Sequence, residues 1–400
     1  MKFVLSLLGI IVILAFMFLL SWDRKNIPYK TVVKALIIQV IIAVILLKIP
    51  LGRFIVEKVS DAITAVINCG KDGVSFMFGS LADSSAPTGS IFAIQTLGNI
   101  IFLSALISAL YYLGIIGAVV KIIGKVVGKI LGTSHVESFV AVANMFLGQT
   151  ESPILVSKYL GKMTKSEIVV VLVSGMGSMS ATIIGGYTAL GIPMEYLLIA
   201  SALVPMGSIA LSKILMPESE GAFDVEELKI DNKGDNENIL SAISEGAMNG
   251  LQTALAIGAS LIAILGLVAV INLFLGFFGF NLQQIFSYIF APFGYLMGLD
   301  SDSVRFAGEL LGSKLVLNEF VAFQSLGEVL AQLDYRTGLI LSISLAGFAN
   351  ISSIGICISG ISALCPEKRN LLSKLALRSM LAGFCVSLLS AIIVGMVTLI

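Results

Sequence analysis

Eight long apolar runs punctuate the chain, near residues 3–21, 31–49, 91–118, 167–190, 196–216, 246–278, 337–361 and 375–399. An α-helix rises 1.5 Å per residue, so about 20 such residues cross about 30 Å of hydrocarbon. Each run therefore predicts a transmembrane helix. The first could pass for a secretion signal, but Ser21-Trp22-Asp23-Arg24-Lys25 follows it in place of a small-residue cleavage site. Trp22 suits an interface anchor, and the run reads as a retained span. Stretches 51–67 and 120–133 are amphipathic. In the second, Lys121, Lys125 and Lys129 recur every four residues on one stripe, as in a helix lying on the membrane surface. Residues 68–90, scattered with Gly and Ser, read as a connection near the outer interface.

Two segments are too apolar for loops and too interrupted for spans. In 135–167, two apolar stretches flank the polar tip Gly148-Gln149-Thr150-Glu151-Ser152-Pro153. Each half is long enough to reach only about 15 Å into the membrane, which predicts a re-entrant helical hairpin. Pro153 suits the first turn of the returning helix, where its missing N–H is no loss. In 304–333, two short apolar halves flank Asn318-Glu319. Each hairpin precedes a span broken by small and polar residues, Ser174 through Thr182 in one case and Gly347 through Gly355 in the other. Gln149 lies 29 residues before Ser178, and Asn318 lies 32 before Asn350. Matching interrupted segments in two halves of a chain point to inverted repeats that meet at a transporter's binding site.

The expected architecture is all-α and integral to the membrane, with about eight transmembrane helices, two re-entrant hairpins in inverted repeats and interfacial amphipathic helices. Residues 1–134 supply N-terminal spans, interfacial helices and part of a scaffold, and 135–216 the first repeat. An acidic cytoplasmic loop follows at 217–245, then a scaffold span and interfacial segment at 246–303, and the second repeat at 304–400.

Composition agrees. Of 400 residues, 57% are hydrophobic and 12% charged, against about 25% charged in soluble domains. The 25 acidic and 25 basic residues cancel, so nucleic acid is not an expected partner. Arg24, Lys25, Lys30, the lysines from 121 to 165, Lys213, Lys368, Arg369, Lys374 and Arg378 are assigned to the cytoplasmic side, which places both termini outside. Arg53, Lys58, Arg305, Lys314 and Arg336 then face outward. Cys69, Cys357, Cys365 and Cys385 form no C-x-x-C pair and read as small apolar fillers. His135, the single histidine, reads as an interfacial residue. No Walker-type loop and no paired acids, metal set or nucleophile–base pair support an ATPase or a membrane enzyme. Broken hairpins favour alternating access over an open channel.

Glu151 and Glu319 carry the sharpest signal, because a charge at the bilayer centre costs about 2.5–3.5 kcal/mol. Around them stand the amides and hydroxyls of Gln149, Thr150, Asn350 and Ser353, with no Arg or Lys at either tip. Such a set accepts from and donates to a neutral, hydrogen-bonding solute, a sugar hydroxyl pair or a nucleobase edge.

At these residues the sequence resembles the concentrative nucleoside transporter family, in its compact bacterial eight-span form. The likeness rests on Gly148 through Pro153, Asn318-Glu319-Phe320-Val321-Ala322 and Gly347-Phe348-Ala349-Asn350 through Gly355, and spans roughly 90–400. It implies that Gln149, Thr150 and Glu151 contact the nucleobase, and that Glu319, Asn350 and Ser353 contact the ribose with Phe348 nearby. It implies a sodium ion held by Asn144 and Ser178 with main-chain carbonyls of Leu147 and Met179, oxygen ligands that suit a hard cation. It further implies a homotrimer in the cytoplasmic membrane with an elevator-like transport domain. Coupling to protons, and carriage of another neutral polar solute such as a nucleobase, are the alternatives.

Overall fold

The structure is a computed structural model describing every residue except 84, 88–90, 220 and 222–235. Among the described residues it is helical throughout, with no strands. α1 (Lys2–Leu20) and α2 (Tyr29–Lys48) are largely apolar but bury only one stripe each. In α1 that stripe is Ser6, Gly9, Ile13 and Met17, at helical spacing, and the remaining apolar faces suit lipid. α3 (Pro50–Phe78) begins on a proline at its first turn, where no N–H is needed. Its 29 residues overrun the expected surface helix at 51–67. Residues 68–78, read as connection, continue it despite Gly70 and Gly73, and a 3₁₀ turn follows at Gly79–Ala82. Gly70 is needed for packing, since a Cβ there would lie 2.2 Å from Asn99 Oδ1.

α4 (Phe92–Tyr112) ends before the predicted 118, and α5 (Ile115–Leu131) begins after Gly114 at φ 77°. Lys121, Lys125 and Lys129 are exposed on α5 as the stripe predicts, while Gly124 and Gly128 press its other face onto the next helix. That helix, α6 (His135–Ala143), is the entering arm of the first hairpin, and α7 (Ser152–Leu155) and α8 (Ser157–Leu160) are single turns of the returning arm. The broken span follows as α9 (Lys165–Met176) and α10 (Ala181–Ala189), then α11 (Met194–Leu215).

The base of this hairpin is tied by two interlocked capping boxes, Ser134 with Glu137 and Thr164 with Glu167. Ser134 Oγ donates to Glu167 Oε1 at 2.9 Å, while Lys213 forms an ion pair with Glu137 and donates to Ser166 Oγ at 3.0 Å. Lys213, counted with the cytoplasmic basic residues, is thus buried at the end of α11.

α12 (Ile239–Gly276) takes over the last residues of the segment read as an acidic loop at 217–245, most of whose acids lie outside the described residues. It packs on α4 through Gly246 and Gly250 and leaves most of its apolar surface exposed. α13 (Leu282–Leu296) runs beside α14 (Ser301–Val316), the entering arm of the second hairpin, whose Gly308 and Gly312 allow the close approach. α15 (Glu319–Val329) returns. The predicted span 337–361 is two short helices, α16 (Tyr335–Leu345) and α17 (Ile351–Leu364), and α18 (Arg369–Val397) closes the chain. Among the described residues, seven helical segments are long and apolar enough to cross a membrane, and the eighth expected span is this interrupted pair. The α9–α10 segment, α11 and α18 are buried nearly throughout and form the centre, whereas α1, α2 and α12 lie at its edge.

Candidate functional site

Both broken spans interrupt their helices for the same reason. α9 ends at Met176 and α10 restarts at Ala181 behind Ser180, whose side chain accepts from Thr182 N. α16 ends at Leu345 and α17 restarts behind Asn350, which accepts from Ser353 N at 2.9 Å. Ser and Asn are favoured N-caps because they satisfy first-turn N–H groups that have no helical partner. The two breaks cross. Phe348 N donates to Ser178 O at 3.0 Å, and Gly347, at φ 140°, lies so close that a Cβ would be 2.9 Å from Gly177 O. A Cβ on Gly383 of α18 would lie 3.0 Å from Gly177 N, so three backbones meet there.

The hairpin tips are brought to this crossing. Gln149 Nε2 donates to Ser353 Oγ at 3.4 Å. Glu319, the first residue of α15, accepts from Asn350 Nδ2 at 3.1 Å and from Tyr187 Oη at 3.1 Å. Ser353 Oγ donates to Phe348 O, and Phe348 packs against Gly148 of the first tip. Gln149, Glu319, Phe348, Asn350 and Ser353 are thus buried together. Thr150 and Glu151 lie to one side. Glu151 accepts from Gly148 N at 2.9 Å and Ser180 Oγ at 3.0 Å.

Thr150, Glu151 and Thr182 line a cavity of about 670 Å³ whose far wall is Tyr111 of α4 and Glu245, Asn249 and Gln252 of α12. This cavity joins Thr150 and Glu151 of the first tip to the first half of α12, and Gln149, Glu319, Phe348, Asn350 and Ser353 do not line it. A second cavity, of about 750 Å³ between α13 and α14, contains none of the tip residues and plays no part in this site.

The residues assigned to a cation lie just behind the first tip. Asn144 Nδ2 donates to Val140 O at 3.0 Å and to Ser174 Oγ at 2.9 Å, and Ser178 Oγ donates to Gly175 O at 3.1 Å. Asn144 and Ser178 are not bonded to each other. Asn144 Oδ1 is buried and has no hydrogen-bond partner. Among the described residues, neither the Leu147 nor the Met179 carbonyl accepts a backbone hydrogen bond. An orphaned amide oxygen with free carbonyls nearby fits a hard monovalent cation, because an unmatched buried acceptor otherwise costs about 1–3 kcal/mol.

Two further residues, Tyr187 and Cys357, belong to this constellation. Tyr187 packs its ring, tilted, with centroids 4.8 Å from Phe320 and 4.5 Å from Phe323 while donating to Glu319. Cys357, read as an inert filler, donates its Sγ–H to Gln149 Oε1 at 3.2 Å. Lys314, read as facing outward, is completely buried, with Nζ on Ser344 O at 2.9 Å and Ser387 Oγ at 2.6 Å. Arg336, also read as outward, is half-buried and donates to Gly298 O at 2.8 Å and Gly395 O at 3.0 Å. Neither arginine nor lysine meets a carboxylate here; their partners are helix-end carbonyls and a hydroxyl, which sequence charge counting does not see.

Comparison with known proteins identifies the family. Residues 8–81 match the family model described as Na+ dependent nucleoside transporter N-terminus, 93–194 match nucleoside recognition, and 196–395 match Na+ dependent nucleoside transporter C-terminus. The chain is 36% identical to nucleoside permease NupC of Helicobacter pylori and 37% to putative nucleoside permease NupX of Escherichia coli, each over 97–98% of both chains. It is 33% identical to sodium/nucleoside cotransporter 1 of Mus musculus, covering 63% of that protein. Among solved structures, CNTnw in an inward-facing substrate-bound state matches with TM-score 0.95 at 37% identity over 99% of both chains. A variant of CNTnw in an outward-facing state matches with the same TM-score. The chain therefore belongs to the family of Na+-dependent nucleoside transporters, whose members are transporters rather than enzymes.

Proposed function

We propose that this protein is a secondary symporter that carries nucleosides into the cell together with a cation, sodium first among them. The observation that carries the reading is the convergence of Gln149 from one hairpin and Glu319 from the other on Asn350 and Ser353 of a single broken helix. In this reading the Glu319 carboxylate and the Asn350 amide take the ribose hydroxyls, with Ser353 completing the set. A carboxylate accepts from two O–H groups at once, and an amide supplies the matching donor. Gln149, Thr150 and Glu151 read the nucleobase edge, and Phe348 bounds the pocket. The sodium ion travels as a second cargo on Asn144 and Ser178 with the carbonyls of Leu147 and Met179. Its charge would sit between the first tip and the first break, so its presence favours the tip geometry that binds the nucleoside.

The cavity beside Thr150 and Glu151 supports an inward-facing conformation, with the α12 start on the cytoplasmic side and both termini outside. The hairpins, both broken spans and α18 move as one body against α1, α2, α4 and α12, in an elevator-like exchange within a homotrimer in the cytoplasmic membrane. Radiolabelled uridine uptake into proteoliposomes tests the whole reading. An inward sodium gradient alone is expected to drive accumulation above equilibrium. Accumulation with a proton gradient alone would remove the sodium assignment and keep the nucleoside. No uptake under either gradient, with no uridine binding, would overturn the reading.

A further inference from the structure

Between the first tip and the first break, and again between the second tip and the second break, the two repeats run in an ungapped register of 170 positions. It pairs Asn144 with Lys314, Gln149 with Glu319, Ser174 with Ser344, Gly177 with Gly347, and Ser180 with Asn350. The structure gives the paired residues paired duties. Thr164 and Asp334 cap α9 and α16, and Ser180 and Asn350 cap α10 and α17. Gln149 and Glu319 are the two tip residues that reach the helix behind Asn350.

Asn144 and Lys314 are the pair whose chemistry differs most. Asn144 donates to Ser174 at 2.9 Å and leaves its amide oxygen unmatched and buried, the position assigned above to a cation. Lys314 reaches the paired residue Ser344, at its main-chain oxygen rather than its hydroxyl, at 2.9 Å, and brings an ammonium with it. Its ammonium is 0% exposed, donates to Ser387 Oγ at 2.6 Å and stands 5.3 Å from the centre of the Phe384 ring. Ser344 lies one residue before the end of α16, where the last carbonyls have no helical partner and the helix end carries partial negative charge. A carbonyl, a hydroxyl and a ring face are the surroundings of a cation.

We propose that Lys314 is a tethered cation: its ammonium holds, in the second repeat, the place that the coupling ion holds in the first. Each protomer then keeps one exchangeable ion site and one counterpart occupied by a side chain. Its hydrogen bond to Ser344 O steadies the α16 end and, through it, the Gly347–Asn350 break on which Glu319 depends. This rests on the cation reading of Asn144 given under Proposed function.

The test uses the full-length purified chain, with uridine affinity and thermal midpoint measured against NaCl, choline chloride holding ionic strength constant. Lys314→Arg keeps the charge and is expected to bind uridine. Lys314→Met removes it and is expected to lose about tenfold or more, the scale of one lost hydrogen bond to a charged group. Lys314→Asn copies the first repeat and is expected to show a second saturable sodium phase that restores uridine binding, which a merely structural lysine would not create. Wild-type affinity and a wild-type sodium response in both neutral variants would overturn the proposal. If Lys314→Asn does not fold, equal uridine binding by the Arg and Met variants would overturn it. The two readings separate cleanly. A wild type without sodium response beside a responsive Lys314→Asn removes the cation from Asn144 and keeps the tethered ammonium, whereas no response in either removes both.

Discussion

Glu319 is held by donors from two helices, Tyr187 of α10 and Asn350 at the head of α17. A carboxylate fixed from two sides loses little freedom when a ligand arrives, so the donors act on affinity as well as on folding. Tyr187→Phe keeps the ring against Phe320 and Phe323 and removes one hydrogen bond to the carboxylate, a loss of about 1.5–3 kcal/mol. Uridine affinity is expected to fall about tenfold or more, read by calorimetric titration, and an unchanged affinity would detach Tyr187 from the site. At this scale the two tips were legible in the sequence because acids and amides interrupt apolar runs at Gln149–Glu151 and Asn318–Glu319. Tyr187 and Cys357 were not. A tyrosine or cysteine among Gly, Thr and Ile looks like filling until the chain returns from far away to meet it. Lys314 was not singled out because its partners, on Ser344 and Ser387, are a main-chain oxygen and a hydroxyl, which leave no trace in a charge count.

The two interrupted spans are the elements on which the site is built, and their crossing admits no side chain at Gly347. An alanine there would face strain of about 1–3 kcal/mol at φ 140° and a Cβ 2.9 Å from Gly177 O. Gly347→Ala is expected to lower the thermal midpoint and abolish uptake. Gly355→Ala, with nothing near its Cβ within the same α17, is expected to be neutral or to gain up to about 1 kcal/mol. Equal behaviour of the pair would mean the crossing tolerates being pushed apart. Hydropathy found these elements as windows but could not locate their ends, since Ser and Gly lower an average without marking a cap. The overrun of α3 past residue 67 has a similar origin. Its Gly70-Lys71-Asp72-Gly73 stretch is polar enough to end an apolar pattern, yet the backbone stays helical because Gly70 lets α4 approach.

Across the whole molecule, the buried helices gather the site and the exposed ones frame it. The cavity runs between the two groups, from Thr150 and Glu151 to Asn249 and Gln252 of α12. Asn249 is exposed to this space and touches no tip residue through any hydrogen bond described above. Asn249→Trp is expected to slow uridine uptake severalfold in proteoliposomes while leaving uridine binding to the solubilised protein intact, because a large ring in the route obstructs passage and not the pocket. Loss of binding and uptake together would place Asn249 in the pocket itself. The division into centre and edge was only half legible: apolar runs announce that a helix meets something non-aqueous, but lipid and protein look alike to an apolar side chain.

The bond between Gln149 and Ser353 joins residues 204 positions apart. A ribosome adding about 5–20 residues per second needs roughly ten to forty seconds to travel that distance. For all that time the first hairpin is made and its amide has no one to meet. The second half of the chain must therefore arrive before the polar tip of the first is satisfied, which ties the two halves into one folding event.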